Sequence, residues 1–106
     1  MKFSINHKVF DYIARSPKKF SKNGISFISR RCDKFFLGFV IPKSLGSASL
    51  RNRFKRRCRS VLQQFNKNAG SLSFGVIVKP KIININYDDI DQSIALWIDS
   101  LKKTSS

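Results

Sequence analysis

A run of cations in the middle of the chain has the clearest potential chemistry. Residues 51–59 have the sequence R-N-R-F-K-R-R-C-R, and seven of these nine residues are Arg, Lys or Asn. Phe54 and Cys58 are four positions apart, which places them on one side of a helix and the cations around the rest. Arginine suits phosphate because its planar guanidinium forms two parallel hydrogen bonds with one anion and also stacks on bases. The run therefore predicts a helix that lies against phosphate groups.

The charge of the whole chain agrees with that prediction. The 106 residues include 21 Lys and Arg against 6 Asp and Glu, which gives a formal net charge of +15. Such a charge repels itself and destabilises a small domain unless an anionic partner relieves the repulsion. Nucleic acid is the commonest partner of this kind, and an acidic membrane surface is the second candidate. No segment approaches the roughly 18 apolar residues of a membrane span, and we expect a nucleic acid and no membrane as the partner.

Residues suited to catalysis or to tight metal binding are few. Cys32 and Cys58 lie far apart without C-x-x-C spacing, and His7 is the single histidine, so a zinc site is not expected. We interpret both cysteines as reduced thiols of a cytosolic protein. Four aspartates crowd the last predicted helix, but the predicted strands have no carboxylates that could complete a nuclease centre. We therefore predict no catalytic residue and no tightly bound metal in the protein itself.

The spacing of apolar residues predicts the elements before the basic run. A helix is predicted over 5–14, and a basic loop follows it around Pro17. Residues 24–32 and 35–41 are rich in strand formers and predict two strands. The second of these is apolar on both faces, which favours a central position in its sheet.

A second helix, predicted over about 49–66, contains the basic run. Ser47 or Ser49 is expected to cap its first turn. One side should pack on the sheet through an apolar stripe of Leu50, Phe54, Cys58, Val61, Leu62 and Phe65. The polar residues predicted opposite this stripe are Asn52, Arg56, Arg59 and Gln63, and those on its flanks are Arg53, Lys55 and Arg57.

The rest of the chain predicts a third strand over 72–78 and a last helix that Asn86 caps. Asp88 and Asp89 occupy the first turn of that helix, where the helix dipole favours anions. The order α-β-β-α-β-α predicts an α+β fold in which one mixed sheet packs with three helices. The strand–helix–strand unit over 35–78 allows a parallel pair. A chain of this length is expected to form one domain, 1–106.

Residues 43–59 resemble the signature of the protein subunit of bacterial ribonuclease P, which is typically S-K-K-x-G-x-A-V-x-R-N-R-x-K-R-x-x-R. Nine positions of this window match in register: Lys43, Gly46, Ala48, Arg51, Asn52, Arg53, Lys55, Arg56 and Arg59. The resemblance extends to an early helix with Phe10, a strand ending in G-F-V-I, an apolar strand before Lys79-Pro80, and an amphipathic last helix. The chain departs from the family pattern at Ala14, Phe36 and Ser44.

The resemblance implies a function, a set of partners and details of the fold. Ribonuclease P removes the 5′ leader of precursor tRNA, and in bacteria a large RNA with bound Mg²⁺ is the catalyst. The small basic protein binds that RNA and the leader. The resemblance thus implies a non-catalytic subunit of a ribonucleoprotein endoribonuclease in the bacterial cytoplasm, with Mg²⁺ held mainly by the RNA and no obligate protein partner. It also implies a sheet of about four strands and a left-handed β-α-β crossover.

The resemblance, together with the charge of the helix, also indicates candidate sites. The implied RNA-binding residues are Lys43, Gly46, Arg51, Asn52, Arg53, Lys55, Arg56, Arg57 and Arg59. The loop at Gly46 could hold a phosphate through backbone N–H groups at the helix N-terminus. Phe10 and Lys79 are expected in a sheet cleft that binds the leader, where Phe10 would stack on a base. Plain core packing is the alternative role for Phe10.

Three other functions are compatible with parts of the sequence. A small ribosomal protein would share the charge and the mixed fold, although not the R-N-R register. A protein-only nuclease would cleave without added RNA. A DNA-binding protein that inserts its basic helix into a groove would prefer duplex DNA over structured RNA.

Overall fold

A computed structural model describes residues 7–69 and 74–104. The elements in chain order are α1 (His7–Ala14), β1 (Lys19–Lys22), β2 (Ile25–Arg31), β3 (Phe36–Phe39), α2 (Ala48–Ala69), β4 (Phe74–Pro80) and α3 (Tyr87–Thr104). A short 3₁₀ turn at Lys43–Leu45 precedes α2. The predicted α+β class is confirmed, with three helices and one mixed sheet of four strands. The predicted beginnings of the first helix and of the last strand, 5–6 and 72–73, lie outside the described residues.

The four strands follow the order β1-β2-β4-β3 across the sheet. β2 is antiparallel to both β1 and β4, whereas β3 is parallel to β4. The predicted strand–helix–strand unit is therefore present as β3–α2–β4, while the handedness of its crossover stays a prediction. The expected central position of β3 is wrong, because β3 is an edge strand. It is apolar on both faces because Leu37 packs in the core with α2, while Phe36 packs with residues of α1 on the other face.

Residues 19–22 form an edge strand where the sequence analysis predicts only a basic loop. β1 and β2 are joined by Asn23 and Gly24, whose φ angles are 55° and 77°. Positive φ at both positions of a two-residue connection is the geometry that favours Asn-Gly in tight hairpins. The Asn-Gly pair is thus the sequence signal for β1, and the exposure of three of the four β1 residues hides its strand character.

The main core lies on one face of the sheet, beneath α2 and α3. Phe54 and Trp97 from the two helices are each 1% exposed there. Trp97 stacks on Phe27 of β2, with ring centroids 5.4 Å apart and an interplanar angle of 10°. Trp97 therefore belongs to the core. Because this face is covered by two helices, α2 is held with its basic side outward.

The opposite face of the sheet is covered by α1 over only part of its length. Ile13 of α1 packs there against Ile28 and Ile77. The close approach requires a glycine at position 75, since a Cβ atom would lie 2.7 Å from Cγ1 of Ile13. The strand ends beyond α1 remain accessible on this face.

Both predicted helix caps are present. The Leu50 N–H donates a hydrogen bond of 3.3 Å to Ser47 Oγ, and the Asp89 N–H donates one of 2.8 Å to Asn86 Oδ1. Ser47, not Ser49, is therefore the cap of α2. The helix continues to Ala69, three residues past the predicted end.

Candidate nucleic-acid interface

The outer side of α2 presents the predicted cations. Asn52, Arg56 and Arg59 are exposed, and Arg53 and Lys55 are half-buried on the flanks. The guanidinium of Arg59 lies 5.5 Å from the centroid of the Phe39 ring. The opposite side of the helix is buried, so α2 has the predicted division into an apolar side and a cationic side.

Two arginines of α2 have a different environment. Arg57 is half-buried, and its Nη1 donates a hydrogen bond of 2.9 Å to the backbone carbonyl of Ile85. That bond ties α2 to the segment between β4 and α3. Arg51 is also half-buried, and its buried Nε has no hydrogen-bond partner among the residues that the structure describes. Arg51 thus lies closer to the apolar stripe of α2 than the exposed Arg56 and Arg59 do.

The loop before α2 uses its backbone N–H groups internally. The Gly46 N–H donates to the Lys43 carbonyl at 3.3 Å, and the Leu45 N–H donates to the Pro42 carbonyl at 3.1 Å. Gly46 also lies against Ile83, since a Cβ atom at this position would be 2.8 Å from Ile83 Cδ1. The geometry thus gives Gly46 a packing role at the start of α2, and leaves the exposed Lys43 side chain as the cation of this loop.

A groove of about 480 Å³ lies on the sheet face that α1 partly covers. We name it the sheet groove. Its lining includes three lysines, Lys19, Lys79 and Lys81, together with the apolar side chains of Ile28 and Val40. Cations and apolar surface in one groove can hold the phosphates and the bases of a single nucleic-acid strand.

Phe10 lies next to this groove without lining it. The side chain is half-buried in the apolar cluster on this face, where Ile28 and Val40, both lining residues of the groove, also lie. Lys79 is exposed on the groove itself. The structure therefore brings the two predicted cleft residues into one region, and half-burial of Phe10 is compatible with both of its predicted roles.

Several groove residues were not predicted as site residues. Lys19 and Ser21 come from β1, and Ser21 Oγ lies 3.0 Å from Oγ of Ser26 on β2. Phe20 is half-buried and lines the same groove. The Asn-Gly hairpin signal would have identified β1 and with it this wall of the groove.

Residues 81–85 connect the sheet groove with α2. Lys81 lines the groove, Ile83 lies against Gly46 just before α2, and Ile85 accepts the hydrogen bond from Arg57. The segment that borders the groove is thus also bonded to the basic helix.

The titratable groups within the described residues were searched for metal-ligating clusters, and the two cysteines have shifted pKa values. No group of three or more His, Cys, Asp or Glu in 7–69 and 74–104 is placed to hold a metal ion. Burial raises the pKa of the Cys58 thiol to about 12 and also raises the pKa of Cys32. Both cysteines are free, and their raised pKa values disfavour the reactive thiolate. No helix in the described part of the chain is both long enough and apolar enough to span a membrane.

The chain is similar in sequence to ribonuclease P proteins of several bacteria. The sequence profile of the Ribonuclease P family matches residues 5–102. The ribonuclease P protein component of Mycoplasma mobile is 30% identical over 92 residues, which cover 87% of this chain and 82% of that protein. That of Nitratiruptor is 28% identical over 101 residues, covering 89% and 86%.

Solved structures show the same fold. The ribonuclease P protein of Staphylococcus aureus superposes with a TM-score of 0.77 at 20% identity, over 96% of this chain and 97% of that one. The Thermotoga maritima protein gives a TM-score of 0.74 at 19% identity over the whole of both chains. The match over 5–102 and the R-N-R register agree with this fold, and the chain belongs to the Ribonuclease P family, as a protein subunit of the endoribonuclease that processes the 5′ end of tRNA.

Proposed function

We propose that the chain binds two RNAs through two adjacent surfaces. The cationic side of α2 binds the catalytic RNA of ribonuclease P, and the sheet groove binds the 5′ leader of precursor tRNA. The single observation that carries this proposal is the division of the cations between a convex helix and a concave groove. Mg²⁺ is held mainly by the RNA partner, and the complex works in the bacterial cytoplasm.

The form of α2 suits a folded RNA. Arg56 and Arg59 project from a helix whose other side is buried, so their positions are defined by the core. A convex row of guanidiniums can pair with phosphates on neighbouring turns of a structured RNA. Asn52, with both a donor and an acceptor, can bond to sugars or base edges beside them.

The sheet groove suits a single strand of arbitrary sequence. Lys19, Lys79 and Lys81 can neutralise successive phosphates, and the apolar side chains between them offer contacts that do not depend on base identity. Phe10 borders this surface and would add stacking. Since leaders differ among precursor tRNAs, sequence-tolerant contacts are the kind that this role requires.

Within this proposal, the protein contributes affinity while the RNA carries the chemistry. Among the described residues, no carboxylate cluster or histidine constellation is available to activate water. Binding of the leader by the groove and of the catalytic RNA by α2 places the scissile bond at the RNA centre. Neutralisation of phosphates at the contact also lowers the Mg²⁺ concentration that the complex needs.

Reconstitution with omission of each component tests the proposal. At low Mg²⁺, we expect efficient removal of the leader only when the protein and a bacterial ribonuclease P RNA are both present. The RNA alone should regain activity as Mg²⁺ is raised, because added cations replace the protein's charge. Identical cleavage with and without the protein at every Mg²⁺ concentration would contradict the proposed function.

A matched pair of lysines tests the assignment of the groove. Lys79→Ala removes a cation of the sheet groove, whereas Lys22→Ala removes an exposed cation of β1 that does not line it. We expect Lys79→Ala to weaken holoenzyme binding of precursor tRNA and to leave binding of mature tRNA unchanged. Lys22→Ala should change neither. Equal effects of the two substitutions would place the leader elsewhere.

A further inference from the structure

A second groove lies between α1 and the turn that joins β2 to β3. It has a volume of about 510 Å³, and its lining includes Lys8, Tyr12, Arg31, Cys32, Lys34 and Phe36. We name it the α1 groove. It shares no lining residue with the sheet groove, which lies at the other ends of these strands. Phe36, the first residue of β3, lines the α1 groove, and Val40, the residue after β3, lines the sheet groove. Four residues of extended chain span about 13 Å.

The charge of the α1 groove selects an anion. Lys8, Arg31 and Lys34 are all exposed, and Asp33 is the only acidic residue of the lining. Among residues 7–69 and 74–104, no carboxylate lies within salt-bridge distance of these three cations; the described salt bridge joins His7 to Asp11. The groove thus retains positive charge that the described part of the protein does not neutralise.

The aromatic residues of the groove are held in fixed orientations. Tyr12 is 47% exposed, and its ring lies beneath the Arg30 guanidinium at 4.1 Å from the centroid. Arg30 Nη1 donates a hydrogen bond of 2.9 Å to the Tyr12 carbonyl, and the Tyr12 hydroxyl donates one of 3.4 Å to the Arg31 carbonyl. Lys34 Nζ lies 5.4 Å from the centroid of the Phe36 ring. Rings that are already oriented lose little entropy when a planar ligand stacks on them.

We infer that the α1 groove binds one unpaired nucleotide of the catalytic RNA. The base contacts the Tyr12 and Phe36 rings, and the flanking phosphates pair with Lys34 and Arg31. An unpaired nucleotide is required because only an unstacked base offers its face to an aromatic side chain. This inference rests on the proposed function, since it identifies a further contact with the same RNA partner.

The position of α1 favours the catalytic RNA over the leader as the source of this nucleotide. α1 is a wall of the α1 groove, and the sheet groove, at the other ends of the strands, has no residue of α1 in its lining. A leader strand that occupied both grooves would have to cross the part of the sheet that α1 covers.

Substitutions at the groove test the inference through the salt dependence of RNA binding. Lys34→Glu should weaken binding of the reconstituting ribonuclease P RNA and reduce the slope of log K against log salt by roughly one. Phe36→Leu should weaken binding about fivefold or more through lost stacking, with the slope unchanged. Lys22→Glu is the matched control, because at physiological salt a charge farther than about 8 Å from the contact is largely screened.

The thiol of Cys32 provides a second readout that does not depend on activity. Cys32 lines the groove and is half-buried, whereas Cys58 is 1% exposed and serves as an internal reference. We expect saturating catalytic RNA to slow alkylation of Cys32, and a leader oligonucleotide alone to leave the rate unchanged. The measurement is mass spectrometry of the two cysteine peptides over time.

Each alternative result overturns a stated part of the inference. Unchanged RNA affinity in both groove variants, or equal effects of Lys34→Glu and Lys22→Glu, would rule out a nucleotide in this groove. Protection of Cys32 by the leader oligonucleotide would assign the groove to the leader and contradict the choice of catalytic RNA. Failure of the proposed function is distinguishable, because it would appear as absent stimulation of cleavage by the wild-type protein.

Discussion

The arginines of α2 differ in what surrounds them, although the sequence presents them as one run. Arg56 and Arg59 are exposed, whereas Arg57 bonds to the Ile85 carbonyl. An exposed guanidinium is available to phosphate, while one bonded to a buried carbonyl supports the fold. The same substitution at neighbouring positions should therefore change different observables.

Arg56→Ala and Arg59→Ala should each weaken binding of the catalytic RNA. Each substitution removes a cation whose pairing with an RNA phosphate releases bound counterions. We expect the slope of log K against log salt to fall by roughly one unit or less per substitution. The measurement is a titration over several salt concentrations. An unchanged slope in the double variant would place the RNA surface away from α2.

Arg57→Ala is the contrasting substitution and should reduce stability. The loss of a charged donor leaves the Ile85 carbonyl unsatisfied and should cost about 1–3 kcal/mol in the free energy of unfolding. Urea unfolding provides the measurement. Arg56→Ala is the control, because it removes the same charge without removing the bond to Ile85. Equal stability of the two variants would show that the bond to Ile85 contributes nothing.

Phe10→Ala tests the stacking role at the sheet groove. The variant should bind precursor tRNA less tightly in the holoenzyme, by roughly 1–3 kcal/mol, the value of one base on an aromatic ring. Mature tRNA should bind as before. Because Phe10 is half-buried, circular dichroism and thermal melts must show a normal fold first. A normally folded variant with unchanged affinity for both tRNAs would leave Phe10 as a packing residue only.

At the scale of the elements, two glycines allow close packing: Gly75 lets α1 approach the sheet, and Gly46 lies against Ile83 just before α2. A Cβ atom at Gly75 would lie 2.7 Å from Cγ1 and would contact Cδ1 of Ile13, which is fully buried, and would lie 3.1 Å from Cys32 Sγ. At Gly46 the nearest atom would be the terminal Cδ1 of Ile83. The end of a side chain can move, but Ile13 cannot move without displacing α1.

Gly75→Ala should therefore destabilise the protein more than Gly46→Ala. Overpacking of this kind costs about 1–3 kcal/mol, and the displacement of α1 should disturb both grooves. Thermal melts of the two variants give the comparison. A Gly75→Ala protein with an unchanged melting temperature would contradict the close packing of α1 on β4.

The packing of α2 also predicts a pH dependence through Cys58. Burial raises the thiol pKa from 9.0 to about 12, so the folded state holds this proton more tightly than the unfolded chain. This tighter proton binding contributes to the free energy of unfolding. The contribution is fully present below pH 9 and is lost as the pH rises from there toward 12. By about pH 10, the loss should be roughly 1 kcal/mol.

Cys58→Ala provides the control for this effect. The variant is less stable at neutral pH because a buried side chain is truncated, but it lacks the thiol and should lose less stability between about pH 7 and pH 10. Urea unfolding under reducing conditions measures both slopes, and lysine deprotonation is common to both proteins. Parallel pH profiles would show that Cys58 is not the responsible group.

At the scale of the whole molecule, the net charge determines what the protein attracts. The chain has a net charge of +15. A charge of this size attracts the phosphates of RNA, and added salt weakens the attraction. As a protein subunit of ribonuclease P, the chain has the RNA subunit as its partner.

We predict that the isolated protein cleaves no precursor tRNA at any Mg²⁺ concentration. The assay requires protein freed of host RNA and a mock purification from cells without the gene. Reproducible cleavage by the RNA-free protein would support the alternative of a protein-only nuclease, provided that the mock sample shows no cleavage. Preference for duplex DNA over the catalytic RNA would likewise revive the DNA-binding alternative.

The local parts of this molecule could be predicted from the sequence alone. Apolar residues at helical spacing predicted the two sides of α2, since this periodicity depends only on helix geometry. Ser47 and Asn86 were predictable as caps because the bond lies within one turn. The R-N-R register was sufficient to indicate the family, because it depends on residue types at fixed spacing.

Only the tertiary structure decided which residues meet across long separations. β3 was expected at the centre because apolar faces do not distinguish a neighbouring strand from a covering helix, and α1 supplies that cover. Arg57 and Ile85 are 28 positions apart, and nothing in local spacing distinguishes Arg57 from Arg56. The sheet groove combines β1, β2 and the end of β4. The position of this groove depends on strand order and register, which arise from packing of the whole chain.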